Sequence, residues 1–411
     1  MTCQDVLELD RNDPFAEKRL EFTLPDNVIY LDGNSLGAMP VVANERSVKL
    51  MQEQWGKDLV RSWNTHQWID LPITVGEKIA PLLGASPGQV ICCDSTSVNL
   101  FKLLCSALAM QKNRRIVVSQ KDNFPADLYM VQGLSQLGSG DLCELVSCED
   151  SDIEARLDES VAVLLLTHVN YRSGKLHDMQ RLTELAHQKG ILVIWDLAHS
   201  TGALALDLDE WGVDFAVGCG YKYLNGGPGA PAFVYIAKRH QHAIRQPLSG
   251  WMGHATPFTF SENYQAAAGV KQFLCGTAPI LSMSVLDAAL SVFDDVDMHD
   301  LRIKSVNLTE LFLRLVESNE NLGELVLISP RETAHRGSQM AFTHSKAFSI
   351  CQNLIAKGVI ADFRAPDVLR FGFAPLYLRY RDIRDAVNVL TEILVSRTYL
   401  EEKYSRVEKV T

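Results

Sequence analysis

The sequence predicts an α/β protein, with a large domain built on a mainly parallel sheet and a smaller α+β domain after it. Three observations carry that expectation. Short continuous apolar runs alternate with helical patterns between Val90 and Ile236, the signature of strands buried on both faces. The rhythm changes beyond about residue 281, where strands and helices mix in a different order. A chain of 411 residues with 47% hydrophobic content is long and apolar enough for more than one packed region, and is not a wholly disordered chain.

A polar arm runs to about Val28, and Ile29-Tyr30-Leu31-Asp32-Gly33-Asn34-Ser35-Leu36-Gly37 reads as a short strand breaking into a turn. Helical patterns follow over 41–57 and 75–83. The β–α alternation then places strands at Val90–Cys93, Ile116–Val118, Val161–Thr167, Ile191–Trp195, Phe215–Val217 and Ala232–Ile236, with helices at 96–111, 125–137 and 178–189. The stretch from Leu281 to about Ser318 is helical by periodicity. Strands near 324–328, 338–343 and 368–373 and helices at 345–357 and 381–398 complete the C-terminal part. The expected division is an arm and turn over 1–40, the large domain over 41–280 and the small domain over 281–411.

The formal charge of −11 argues against a general nucleic-acid binder, which needs a basic surface. The longest apolar runs, such as Val161 to Leu166, have strand length, so no membrane span is expected. Met1-Thr2-Cys3-Gln4-Asp5 does not read as a secretory leader. The nine cysteines show no paired C-x-x-C spacing, which suggests reduced cytosolic thiols and no zinc site. A cytoplasmic location is the resulting expectation.

Open parallel sheets bind ligands beyond the carboxyl ends of their strands, so the residues there carry the chemical interest. Ile194-Trp195-Asp196 ends a strand on a carboxylate, and His199 follows three residues later. Asp196 is either the cap of the next helix or a carboxylate held for a ligand's cationic nitrogen. Lys222 follows the strand Phe215-Ala216-Val217 and precedes the turn Asn225-Gly226-Gly227-Pro228-Gly229. A lysine there is poorly explained as a solvated surface charge. Desolvated, it has a lowered pKa and reacts with aldehydes to form a Schiff base.

Asp196, His199 and Lys222, with the lysine 26 residues after the aspartate, resemble the fold-type-I pyridoxal-phosphate enzymes. Further motifs narrow the resemblance. Tyr30-Leu31-Asp32-Gly33-Asn34-Ser35-Leu36-Gly37, Asn123-Phe124-Pro125-Ala126-Asp127, Gly250-Trp251-Met252-Gly253-His254 and Leu369-Arg370-Phe371-Gly372 are similar to kynureninases and stand in the same order. The resemblance runs from about residue 30 to 380. It implies a fold-type-I, PLP-dependent transferase-like fold and hydrolysis of L-kynurenine to anthranilate and L-alanine, with 3-hydroxykynurenine a lesser substrate.

The resemblance also implies roles. Lys222 would carry pyridoxal 5'-phosphate as a Schiff base, and Asp196 would keep its pyridine nitrogen protonated. Phe124 would stack on the ring, Asp127 would be a second carboxylate near the nitrogen, and Thr167 would touch the cofactor. Thr96 and Ser97 open a helix where N–H groups and hydroxyls suit a phosphate. Tyr221 would bind the phosphate and relay protons, and His199 would tune or orient Asp196. Arg370 would grip the substrate α-carboxylate as a bidentate fork. Asn34, Trp63 and Thr277 are further substrate contacts. Some kynureninases carry Asn at the position of Thr277 and His at that of Trp63, so this chain is expected to prefer kynurenine to its 3-hydroxy derivative. A homodimer is implied, with Trp251 and Thr277 reaching the partner's cofactor phosphate. No metal is expected.

Rival readings are a cysteine desulfurase or aminotransferase of the same superfamily, a nicotinamide dehydrogenase, and a cofactor-binding regulator. A desulfurase needs a mobile nucleophilic cysteine, a dehydrogenase needs G-x-G-x-x-G after its first strand, and a regulator needs a basic DNA-binding module. None of these is evident in the sequence.

Overall fold

A computed structural model describes residues 3–137 and 141–406. Its centre is a seven-stranded sheet. In spatial order the strands are Val90–Cys92, Ala232–Ile236, Phe215–Cys219, Leu192–Asp196, Val161–Thr167, Ile116–Gln120 and Glu144–Cys148. Ala232–Ile236 runs antiparallel to both neighbours, and the remaining pairings are parallel. The edge strand Glu144–Cys148 was not expected. Its residues are half exposed, so it lacks the continuous apolar run that marks the other strands.

Each buried strand divides its residues between two cores. Leu164, Leu166, Val193 and Trp195 face one side, where they meet Leu82, Leu83, Met283 and Leu286. Val163, Leu165 and Ile194 face the other, with Leu100, Leu103 and Val131. The period of two then decides where the last residue of each strand points. Thr167 follows Leu165, and Asp196 follows Ile194, so both project toward the helices Thr96–Met110 and Pro125–Ser135. Their strands pair in register, with Thr167 opposite Asp196.

A second, antiparallel sheet orders Val326–Leu327, Gln339–Thr343, Val368–Gly372 and Asp362–Arg364. The N-terminal arm belongs beside it: Ile29–Tyr30 pairs in parallel with Val359–Ile360. The arm is also not wholly irregular, since Cys3–Arg11 is helical. Asp10 anchors that helix to Tyr380–Ser396, accepting from the Tyr380 N–H at 2.7 Å and pairing with Arg381 at 2.9 Å.

Two helical expectations needed correction. The single helix expected over 281–318 is two, Ile280–Ala289 and Met298–Glu317, because Asp295 takes φ +60° and Asp297 caps the second through the N–H groups of His299 and Asp300. The helix expected over 41–57 is α-helical to Lys49 and then widens to a π-helix over Leu50–Asp58.

Candidate active site

The carboxyl ends of the central strands open on a cavity of about 540 Å³, a size that suits a small-molecule ligand. Thr96, Ser97, Phe124, Asp127, Thr167, Asp196, His199, Tyr221 and Lys222 all line it. Residues as far apart in the chain as Thr96 and Lys222 thus meet around one space.

At one end lie two buried carboxyls, Asp127 and Asp196. They are hydrogen-bonded to each other. Burial and the charge of Asp196 push the Asp127 carboxyl well above the usual carboxylate range. Burial also raises Asp196, while the Lys222 ammonium, the Ala198 N–H and the hydrogen bond from Asp127 oppose that rise. Burial thus pushes both carboxyls up, and at Asp196 the Lys222 charge is the largest influence favouring the ionised form. Asp127 is fixed by Asn123 Nδ2, which donates at 3.3 Å, and by the Thr167 hydroxyl at 3.3 Å. Asp196 Oδ1 accepts from the Ala198 N–H at 2.7 Å, so it also closes the turn after its own strand.

Lys222 Nζ lies 3.0 Å from His199 Nε2 and 5.9 Å from the centre of the Phe124 ring. Gln339 donates its amide N–H groups to the carbonyls of Asn170 and Tyr171, both at 3.1 Å, which leaves its oxygen facing His199 Nδ1 at 3.0 Å. His199 therefore carries its proton on Nδ1 and offers the Nε2 lone pair to Lys222. Burial and the Lys222 charge hold its pKa well below the usual range, so the imidazole is neutral. The expected contact between His199 and Asp196 is replaced by one between His199 and Lys222. The Tyr221 hydroxyl is hydrogen-bonded to the Cys219 thiol, and burial raises its pKa, so it keeps its proton.

The turn that carries Lys222 is clasped by the N-terminal arm. The Gly37 N–H donates to the Tyr221 carbonyl at 2.8 Å. A Cβ on Gly37 would meet the Lys222 carbonyl oxygen at 2.2 Å and Asn225 Cα at 2.7 Å, both backbone atoms that cannot step aside. Gly37→Ala is expected to destabilise the fold by about 1–3 kcal/mol and to lower cofactor occupancy. Urea unfolding and cofactor absorbance check this, and a wild-type midpoint with full occupancy would overturn it.

Five expected site residues lie outside the cavity lining. Arg370 is fully buried, and Nε and Nη2 form a fork on Asp362, with Nε to Oδ1 at 2.8 Å. Its Nη1 donates to the Tyr171 carbonyl, and Nη2 lies 3.2 Å from Ser35 Oγ. Asn34 is buried against the same guanidinium, its amide oxygen 3.1 Å from Nε and 3.3 Å from Nη2. Trp63 is half-buried and packs edge-on against Trp68. Trp251 and Thr277 are exposed and are likewise absent from the lining. Gln339, Asn123, Cys219 and Asp362 escaped the sequence reading. Asn123 adjoins Phe124 in a quoted motif, but nothing in the sequence marks Gln339, which lies 140 residues from its partner His199.

These groups fit pyridoxal phosphate. Lys222 shares the cavity with two buried carboxyls, Asp127 and Asp196, and with a helix N-terminus rich in hydroxyls, Ser95-Thr96-Ser97. A family model, Kynureninase C-terminal domain, matches residues 301–390. A kynureninase from Burkholderia pseudomallei (strain 1106a) is 48% identical over 415 residues, covering 100% of both chains. Among solved structures, a cysteine desulfurase from Thermococcus onnurineus superposes with a TM-score of 0.79 at 17% identity, covering 93% of this chain and 98% of its own. A variant of C-DES with glycine covalently linked to its PLP cofactor gives 0.76 at 16% identity, covering 91% and 99%. At such low identity these structures share the fold alone, the fold-type-I architecture, whereas the full-length match is of another order. With 48% identity across its whole length, the chain belongs to the kynureninase family, the pyridoxal-phosphate-dependent hydrolases that cleave L-kynurenine to anthranilate and L-alanine.

Proposed function

We propose that the cavity at the carboxyl ends of the strands is the kynurenine-cleaving site, with Lys222 as the cofactor lysine and Asp196 as the partner of the pyridine nitrogen. The observation that carries this reading is the buried Asp127–Asp196 pair in the same cavity as Lys222, whose charge favours the ionised form of both carboxyls. Phe124 would cover the ring, Thr167 and Asp127 would back Asp196, and Thr96, Ser97 and Tyr221 would hold the phosphate. Pyridoxal phosphate, when bound, supplies an electron sink for the carbanions of carbon–carbon cleavage. The chain's own residues move the protons. Lys222 Nζ, as the neutral amine freed from the cofactor, would take the substrate α-proton and later return one to the alanyl fragment. His199 Nε2 accepts a hydrogen bond from Nζ and aims it. Tyr221, whose hydroxyl retains its proton, serves the transfers that follow hydration of the ketone.

Arg370 holds the substrate α-carboxylate in this scheme. Asp362 fixes the guanidinium, and the nitrogens facing Tyr171 and Ser35 rest on neutral oxygens that a carboxylate displaces. Asn34 steadies the same group, and Trp63 and Thr277 meet the aromatic end, with kynurenine preferred to its 3-hydroxy derivative. Arg370→Lys loses the fork, which is expected to raise KM at least about tenfold. An unchanged KM would place the carboxylate elsewhere.

A homodimer with shared sites belongs to the same reading. Trp251 is 41% exposed, and it forms an aromatic patch with Phe258 and Phe260, also exposed. Thr277 is likewise exposed and outside its own chain's cavity lining, as a residue donated to a partner's phosphate would be. Mixing Lys222→Ala protein with a Trp251→Ala, Thr277→Ala protein under subunit exchange should restore part of the activity. No recovery despite exchange would refute shared sites. We place the enzyme in the cytoplasm; among the described residues no helix is long and apolar enough to cross a membrane.

The direct test is incubation with L-kynurenine while anthranilate fluorescence is followed. Anthranilate should appear with an equal amount of alanine. Sulfur release from cysteine without anthranilate would favour the desulfurase alternative.

A further inference from the structure

The turn that opens the phosphate end of the cavity carries an acidic residue. Asp94 lines the cavity beside Ser95, Thr96 and Ser97, and its φ is +49°, an uncommon conformation for a residue with a side chain. A carboxylate there repels a phosphate dianion unless it is compensated. The compensating charge lies below it. Lys102, two turns along the helix Thr96–Met110, is fully buried, and its ammonium pairs with Asp94 Oδ2. The same Nζ donates to the Phe273 carbonyl at 2.6 Å and lies 3.4 Å from Asn99 Oδ1 and 4.0 Å from Cys93 Sγ. Asn99 in turn donates to the Cys93 carbonyl at 2.7 Å. One buried cation thus neutralises the turn and ties it to the segment that leads to Thr277, while Asn99 holds the turn's backbone.

We infer that Lys102 is a positioning residue for the phosphate of pyridoxal phosphate, acting through Asp94, an inference that rests on the cofactor orientation proposed above. Lys102 does not line the cavity. Its effect is to cancel the Asp94 charge, so that the helix N-terminus and the hydroxyls of Thr96 and Ser97 present a net attraction to the phosphate. A lysine buried for stability alone would support every ligand of the site equally. A lysine that acts through Asp94 matters only to ligands that carry a phosphate.

The test compares binding of pyridoxal phosphate and of pyridoxal, which lacks the phosphate, to protein stripped of cofactor and titrated by absorbance and fluorescence. Lys102→Met should raise the dissociation constant for pyridoxal phosphate about tenfold or more while leaving that for pyridoxal within about twofold. Adding Asp94→Asn should bring pyridoxal phosphate binding back to within about threefold of wild type. Equal weakening of both ligands, no weakening, or no restoration in the double variant would overturn the inference. If Lys102→Met does not fold, Asp94→Asn alone decides: it should bind pyridoxal phosphate at least as tightly as wild type, and weaker binding refutes the proposal. Thr96→Ala with Ser97→Ala separates the two levels of argument. If that variant weakens pyridoxal phosphate selectively and Lys102→Met does not, only the Lys102 inference falls. If it leaves the discrimination intact, the phosphate lies elsewhere and both fall.

Discussion

Lys222→Ala is expected to lower kcat by at least about 10³-fold and to remove covalent cofactor attachment. The side chain has two duties that no neighbour duplicates, joining the cofactor aldehyde and moving the substrate's protons. Its ammonium is fixed 3.0 Å from His199 Nε2, and its turn is clasped through the Gly37 N–H on the Tyr221 carbonyl at 2.8 Å. Removing the ammonium also removes the charge that opposes the rise in the Asp196 pKa, so the carboxyl pair takes up protons more readily. Borohydride reduction and peptide mapping of the wild-type holoenzyme should find the label on Lys222 and find none in the variant. A label on another lysine of the wild-type protein would sink the assignment of the whole site.

Asp196→Asn is expected to retain the fold and part of the cofactor while kcat falls on the order of 10²–10³-fold, the range seen when one preorganised electrostatic contact is removed. The amide still accepts the Ala198 N–H, so the turn after the strand survives. What is lost is the buried charge that keeps a pyridine nitrogen protonated. Asp127 does not replace it, because its carboxyl is fixed by Asn123 and Thr167 and burial still disfavours its charged form. Stopped-flow absorbance should show slower loss of the substrate α-proton with substrate binding largely kept. Turnover near wild type would reduce Asp196 to the turn cap that its hydrogen bond to Ala198 already makes it.

The central architecture and most of the site's contents are legible in the sequence. Val161–Thr167 and Ala232–Ile236 were legible as strands because strands buried on both faces leave continuous apolar runs. Asp196 and Lys222 were legible because each follows such a run where ligands bind. The two-residue period even implies that Thr167 and Asp196 share a face, given their parallel register.

Tertiary structure decided who touches whom. Glu144–Cys148 is a strand because Ile116–Gln120 offers it a ladder, not because of its own half-exposed residues. His199 faces Lys222 and not Asp196 because Gln339, from the second sheet, holds Nδ1. Arg370 has its fork on Asp362 because strands Asp362–Arg364 and Val368–Gly372 pair with those two residues opposite. Periodicity and turn chemistry act over a few residues and are written locally, whereas the partner of a buried polar group is whatever the packed chain brings within 3 Å of it, often from more than a hundred residues away.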